Sequence, residues 1–209
     1  MIRRITLAAL ALLIAVPMSI QAQDNLQMRL DRSTNAADPD DVPNIEFTQT
    51  DNGRRVKTGP AVVIWNPTSN QEGSYTLSAT FTLLEPSGHT NYYGLVFGGR
   101  ELDASSQNYL YFLVAQNGTF MLSHRANDEA VHSVVARTGH DAIARPGDDG
   151  RSVNALEVRV GADEIELVVN GTVVHTQARS GMAGRTDGIA GVRVNHQLDV
   201  EVSGFSTSN

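Results

Sequence analysis

The tryptophan and several tyrosines of this chain stand in or beside short apolar runs. They are Trp65, Tyr93, Tyr109 and Tyr111. Each of these rings carries a polar atom, which suits a surface that is partly apolar and partly wet. A sugar offers matching groups, because its C–H patches stack on a ring while its hydroxyls bind polar side chains. We therefore predict that these four rings bind a ligand, with packing in the core as the alternative for any one of them.

Polar side chains that could orient such a ligand stand close to predicted strand ends. Arg125 follows His124, and His196 follows the segment Arg193-Val194-Asn195. Strand ends and loops are where the sites of a β-sandwich usually lie, so Arg125 and His196 join the predicted ligand-binding residues. Structural hydrogen bonding is the alternative for both side chains.

Nucleophiles and metal ligands are not arranged in a recognisable pattern. The chain contains no cysteine and no Gly-x-Ser-x-Gly sequence, so neither a thiol nor a serine elbow is available. No two of the six histidines have the short spacing of a zinc site. The residue types and their spacing thus indicate no catalytic centre and no metal site.

Apolar and polar residues alternate with a period of two in several segments. The clearest are 75–83, 156–160, 165–169 and 198–202. Such a pattern is typical of strands with one buried face. Glycine-containing turns separate the segments and predict hairpins at 52–53, 73–74, 117–118, 161 and 170–171. No segment after residue 44 has a helical period.

Three further runs, 61–65, 92–97 and 109–114, are apolar at successive positions. This suits central strands that are covered on both faces. The sequence therefore predicts an all-β fold, a sandwich of two antiparallel sheets. In the third run, Leu110, Phe112 and Val114 share one face, and Tyr109, Tyr111 and Leu113 share the other. We expect the second of these faces to line a concave groove.

The N-terminus has the pattern of a secretory signal peptide. Arg3 and Arg4 precede an apolar run, and cleavage is predicted after Ala22. Pro17 interrupts the run, which is shorter than the roughly 20 residues of a spanning helix. The predicted location is secreted or periplasmic, with no membrane span after cleavage. Loss of the two arginines takes the formal charge from −7 to −9, which gives no electrostatic case for nucleic acid as a partner.

Residues 23–44 are predicted to be a flexible acidic arm, and residues 45–209 a single β-sandwich domain. The arm contains several aspartates, including Asp38, Asp40 and Asp41. Carboxylates of this kind can ligate calcium, but the spacing and central glycine of a calcium loop are missing. We therefore expect no cofactor, with calcium as the alternative.

The order of the strand motifs resembles that of a known superfamily. The segments are Gly73-Ser74-Tyr75, Tyr93-Gly94-Leu95-Val96-Phe97-Gly98-Gly99, Tyr109-Leu110-Tyr111-Phe112-Leu113, Val169-Asn170-Gly171 and Gly188-Ile189-Ala190-Gly191. They are similar to the concanavalin A-like lectin/glucanase superfamily, and within it to laminin-G-like and 3-keto-disaccharide-hydrolase-like modules of secreted bacterial proteins. The resemblance covers roughly residues 45–207. It implies a jelly-roll sandwich, but one fold hosts many functions.

The resemblance also defines what catalysis would require. The glucanases of the superfamily carry Glu-x-Asp-x-x-Glu, whose outer glutamates act about 5 Å apart. Here Glu101-Leu102-Asp103 begins such a pattern, but Ser105 and Ser106 stand where the final glutamate is needed. Action on a 3-keto-glycoside would need a general base, for which the candidates are His124, His196 and Asp199.

The predicted function is a non-catalytic binding module, with a glycan or cell-envelope polysaccharide as the ligand. One alternative is a hydrolase or lyase that acts on a glycoside or 3-keto-glycoside. The other is a structural or adhesion partner without a small ligand, whose edge strands would pair with another chain.

Overall fold

The computed structural model describes residues 25–32 and 44–209. These residues form fourteen strands: β1 (Gln27–Asp31), β2 (Glu46–Gln49), β3 (Arg54–Lys57), β4 (Ala61–Gln71), β5 (Tyr75–Glu85), β6 (Tyr92–Arg100), β7 (Asn108–Ala115), β8 (Thr119–Ala126), β9 (Ala130–Gly139), β10 (Ser152–Val160), β11 (Glu164–Val169), β12 (Thr172–Ala178), β13 (Gly188–Val194) and β14 (Asp199–Ser208). No helix occurs in the two described ranges, and so none of their segments is a helix that could cross a membrane. The predicted signal peptide, residues 1–22, lies outside them.

The strands form two antiparallel sheets of seven strands each. Sheet A has the order β1-β4-β13-β6-β7-β8-β9, and sheet B has the order β12-β11-β10-β5-β14-β3-β2. Side chains from the inner faces of both sheets form the main core, because successive residues of a strand point to opposite faces. The predicted all-β, two-sheet sandwich is confirmed, and every predicted turn lies between two strands.

Strand β7 is covered on both faces, as its sequence predicted. Leu110, Phe112 and Val114 belong to the main core. Tyr109, Tyr111 and Leu113 belong to a second buried group on the opposite face of sheet A, which we call the outer cluster. The complete cluster comprises Val63, Trp65, Tyr92, Val96, Leu102, Tyr109, Tyr111, Leu113 and Ala115.

The sandwich begins earlier in the chain than predicted. Residues 27–31 were expected in the flexible arm, but they form β1, which pairs along its whole length with β4. In this register Arg29 lies opposite Val63, and Asp31 lies opposite Ala61. The prediction of an arm over 23–44 is therefore wrong for these five residues, because backbone pairing with a distant strand and ion pairs of Arg29 and Asp31 hold them in place. The remaining aspartates of the predicted arm lie outside the described residues.

A buried amide network fastens the long loop 140–151 to the sandwich. The Asn154 side chain is fully buried, and its Nδ2 donates to the Tyr93 hydroxyl (3.2 Å) and to the Ala144 carbonyl (3.1 Å). Its Oδ1 accepts from the Ala144 backbone N–H (2.8 Å) and from Asn170 Nδ2 (3.1 Å). Asn170 has a φ of 51° in the turn between β11 and β12, a conformation that asparagine tolerates well.

We expect Asn154→Ala to lower the free energy of unfolding by about 2–3 kcal/mol, because several buried polar groups would lose their partners at once. Chemical denaturation measures the change. Asn70→Ala is the matched control, since Asn70 is exposed and its amide donates to the Glu72 side chain; its effect should stay within about 0.5 kcal/mol. Equal effects of the two substitutions would contradict the assigned role of the network.

Candidate functional site

A cavity of about 450 Å³ opens between the two sheets on the side where β1 and β2 are the edge strands. We call it the edge cavity. Its apolar walls come from Leu26, Phe47, Val56, Ile64, Trp65, Val192, Val202 and Phe205. Its polar walls include Gln49, Arg54, Asn66, Ser69, Ser203, Ser206 and Thr207. A cavity of this size, with mainly apolar walls and several polar groups, is typical of a small-ligand site.

Local irregularities of the strands shape the edge cavity. The register between β14 and β5 shifts between Ser203 and Ser206, and Gly204 within this bulge has a φ of 61°. The bulge leaves Phe205 with 39% of its surface exposed. Gly53 lets the turn between β2 and β3 approach β14 closely, since a Cβ atom there would lie 2.1 Å from the Val202 carbonyl oxygen.

The aromatic and charged groups of the cavity are arranged for mixed contacts. The Arg54 guanidinium lies over the Phe47 ring, 5.6 Å from its centroid. Rings can stack on the C–H face of a ligand, and the surrounding hydroxyl and amide groups can donate and accept hydrogen bonds. Phe47 and Phe205 were not among the predicted site residues. The signal for Phe205 was the pair Gly204-Phe205, which interrupts the alternation of a serine- and threonine-rich strand.

Of the residues predicted to bind a ligand, Trp65 alone lines the edge cavity, and it also belongs to the outer cluster. Tyr109 and Tyr111 share the outer face of sheet A with it, but they are only 0% and 6% exposed. The prediction that this face lines a concave groove is therefore wrong, because both rings are covered. Tyr93 was also wrongly placed: its ring packs on Phe81 in the main core, with 5.6 Å between ring centroids.

The rings of the outer cluster are joined to a buried ion pair. Arg193 Nη1 lies 2.5 Å from Asp31 Oδ2 and donates to the Tyr109 hydroxyl at 2.8 Å. Arg193 Nε donates to Asn195 Oδ1 at 2.9 Å, and the guanidinium lies 5.7 Å from the centroid of the Tyr111 ring. Asp31 thus brings a carboxylate from the edge strand β1 to the centre of sheet A.

Arg125 lies on the same face, opposite Tyr109 in the pairing of β7 and β8. Its Nη2 donates to the Asp128 carbonyl at 3.0 Å, while its Nε is buried without a partner among the described residues. The Asp128 carboxylate binds Arg29 and also accepts from Gln107 Nε2 at 2.7 Å. Arg125 therefore belongs to a network of charged groups rather than to the edge cavity.

The three candidate general bases occupy different surroundings. The ring of His124 is buried, lies 3.0 Å from Asn108 Oδ1 through Nε2, and stacks on His132 at 5.9 Å between centroids. His196 lies beside His89, with ring centroids 5.4 Å apart. Asp199 is 2% exposed, and Arg55 binds both of its carboxylate oxygens.

Burial and neighbouring charges shift the pKa values of Asp31, Tyr109 and His124. Burial by itself would raise the pKa of Asp31, but the Arg193 guanidinium outweighs it and holds that pKa below the ordinary value of 3.8. Burial raises the pKa of Tyr109, so its hydroxyl stays protonated. Burial, together with Arg185 and His132, lowers the pKa of His124.

Within the described residues, no group of three or more histidine, aspartate or glutamate side chains is placed to hold a metal ion. The aspartates for which calcium was the alternative lie outside those residues, so the expectation of no cofactor stays a prediction.

Comparison with known proteins supports the fold and not a particular family. The sequence matches no protein-family model and no curated protein. Among solved structures, it is similar to a carbohydrate-binding module, CBM66, from Bacillus subtilis (TM-score 0.61, 15% identity, covering 79% of this chain and 92% of that one).

Two further solved structures have the same architecture. One is a protein of unknown function with a galectin-like fold from Bacillus subtilis (TM-score 0.62, 13% identity, 88% of each chain). The other is the metal-free carbohydrate recognition domain of Emp46p (TM-score 0.54, 10% identity, 78% of this chain and 85% of that one). The chain therefore has the two-sheet jelly-roll fold of these structures, the fold that the sequence motifs predicted.

We expect Asp31→Asn to lower the free energy of unfolding at neutral pH by about 3 kcal/mol, because Arg193 would keep a buried charge without its carboxylate. The depressed pKa of Asp31 means that its contribution is present above its unfolded pKa of 3.8 and is lost as the pH falls through the lower folded value. Thermal unfolding of both proteins between about pH 7 and about pH 2 measures this. Their midpoints should converge on acidification, and a constant difference would contradict the assignment.

Proposed function

We propose that this protein is a non-catalytic glycan-binding module and that the edge cavity holds the sugar. The observation that carries the proposal is the lining of the cavity, where Phe47 and the exposed ring of Phe205 stand among hydroxyl and amide side chains. A sugar needs both kinds of group, because its ring faces are partly apolar and its edge is a row of hydroxyls. The walls are held by strands of both sheets, so the site is largely preformed.

The solved structures with this fold give independent support. Two of them are described as a carbohydrate-binding module and as a carbohydrate recognition domain. The shared fold supports a sugar as the ligand of this chain, and the residues that line the edge cavity indicate where the sugar would bind. The sequence pattern at the N-terminus supports a further part of the proposal, that the protein acts after export, in the periplasm or outside the cell.

Neutral oligosaccharides are the first ligands to test. A panel of glucans, galactans, fructans and chitin fragments, with and without calcium, can be screened by thermal unfolding and then by calorimetry. A ligand at 100 times its Kd should add about 2.7 kcal/mol to the free energy of unfolding. A folded protein that binds no member of the panel would overturn the proposal.

We expect Phe205→Ala to weaken binding of the best neutral oligosaccharide about tenfold or more, since the substitution removes an aromatic wall of the cavity. Calorimetric titration measures the Kd. The matched control is Val153→Ala in β10: Val153 is 53% exposed and does not line the cavity. Unchanged affinity in the Phe205 variant, or equal loss in both variants, would show that the sugar binds elsewhere.

A further inference from the structure

The outer face of sheet A carries three arginines around two buried tyrosines. Arg29 comes from β1, Arg125 from β8 and Arg193 from β13, and all three take part in the network that joins Tyr109 and Tyr111. The exposed face of an antiparallel sheet is normally covered by water and polar side chains. Here the rings are buried beside guanidinium groups, and a ligand that reached them would need both an apolar face and a negative charge.

Neighbouring side chains hold the Arg193 guanidinium in a fixed position. Its guanidinium is held by Asn195 Oδ1 on one side and rests near the Tyr111 ring on the other. Arg193 Nη1 donates to the Tyr109 hydroxyl at 2.8 Å. Because the hydroxyl is the acceptor in this bond, its own proton is free to be donated to the group that Arg193 binds. These groups together form a site for one carboxylate, which Asp31 now fills.

The carboxylate that fills this site comes from a short edge strand of sheet A. Strand β1 has five residues, and β4 is its one partner in the part of the chain that the structure describes. Gln27 lies opposite Trp65 in this pairing, so removal of β1 would uncover the neighbouring part of the outer cluster. Arg29 secures the same strand through the Ala104 carbonyl (2.7 Å) and the Asp128 carboxylate.

Some hydrogen-bonding atoms of the network have no partner among the described residues. Within the described residues, its three guanidinium groups face two carboxylates, those of Asp31 and Asp128. Among the residues that the structure describes, Arg125 Nε has no partner, nor has Oε1 of Gln107, a side chain that is 0% exposed. Unpaired buried polar atoms cost free energy, and the oxygen and hydroxyl groups of a ligand would satisfy them.

We propose that Arg193 and Tyr109 form a carboxylate-binding site for an acidic sugar, a uronic acid residue, and that Asp31 occupies this site until the ligand displaces it. The sugar part of this inference rests on the proposed function, whereas the site itself is separate from the edge cavity. Since Asp31 competes with the ligand, the measured affinity of the native protein is reduced by the fraction of molecules in which β1 is released.

The test compares two ligands that differ only in charge. A tetramer of galacturonic acid supplies carboxylates, and its fully methyl-esterified form supplies the same sugars without charge. We expect Asp31→Asn to bind the acid tetramer about tenfold or more tightly than the native protein does, because the competing carboxylate is gone. Binding of the esterified tetramer should not change between the two proteins. Loss of acid binding in Arg193→Met is expected as well.

Asp199→Asn is the matched control, because it removes a comparably buried aspartate that binds Arg55 on sheet B. It should leave the affinity for the acid tetramer unchanged. Unchanged affinity in Asp31→Asn, or an equal gain in Asp199→Asn, overturns the inference. If acetate binds as tightly as the acid tetramer, the assignment to a sugar is overturned.

A measurement on the native protein covers the case in which Asp31→Asn does not fold. Hydrogen exchange at the β1 amides should become faster when the acid tetramer is added, whereas a ligand bound elsewhere would leave it unchanged or slower. Faster exchange supports displacement of β1, and unchanged or slower exchange contradicts it. Binding of neutral sugars that depends on Phe205 would persist in that event, so failure of this inference is distinguishable from failure of the proposed function.

Discussion

The structure depends on the need to cover both faces of the central strands of sheet A. The inner faces of β6 and β7 pack against sheet B. Their outer faces carry rings and aliphatic side chains that would be exposed to water unless other residues covered them. The loop residue Leu102, the edge strand β1 and the arginines of the outer face supply that cover. Burial of charge follows from this, because the Arg193 guanidinium beside Tyr111 needs a carboxylate partner, which Asp31 supplies.

The two candidate sites lie near the same edge of the sandwich, where β1 and β2 are the edge strands, but one is open and the other is covered. Sheet B ends in the short strand β2, and the bulge in β14 leaves space between the sheets, so the edge cavity remains open. On the outer face of sheet A, β1 instead brings Asp31 over the cationic centre and closes it. One edge of the sandwich thus carries an accessible mixed surface and a covered charged surface a few strands apart.

Sequence alone predicted what depends on local pattern and failed where distant pairing decides. The alternation in β5, β10 and β14 identified the strands, and Asn170-Gly171 identified its hairpin. Tyr93 was misassigned because it lies in a run that is apolar at every position. The sequence of such a run does not show which face of the sheet a side chain points to, and the register of β6 with β13 and β7 decides it. Residues 27–31 were missed because their pairing with β4 leaves no local signal, and Phe205 because a bulge changes which way a side chain points.

The position of β14 has a consequence for the order of events in folding. This last strand lies in the interior of sheet B, between β3 and β5, and β13 likewise lies between β4 and β6 in sheet A. Each sheet therefore lacks an inner strand until the C-terminal residues have been synthesised. Pairings between such distant parts of a chain form slowly, because long loops must close first. The sandwich is thus complete only after β13 and β14 have been made, and loss of the ten residues of β14 would leave the facing edges of β3 and β5 in sheet B unpaired.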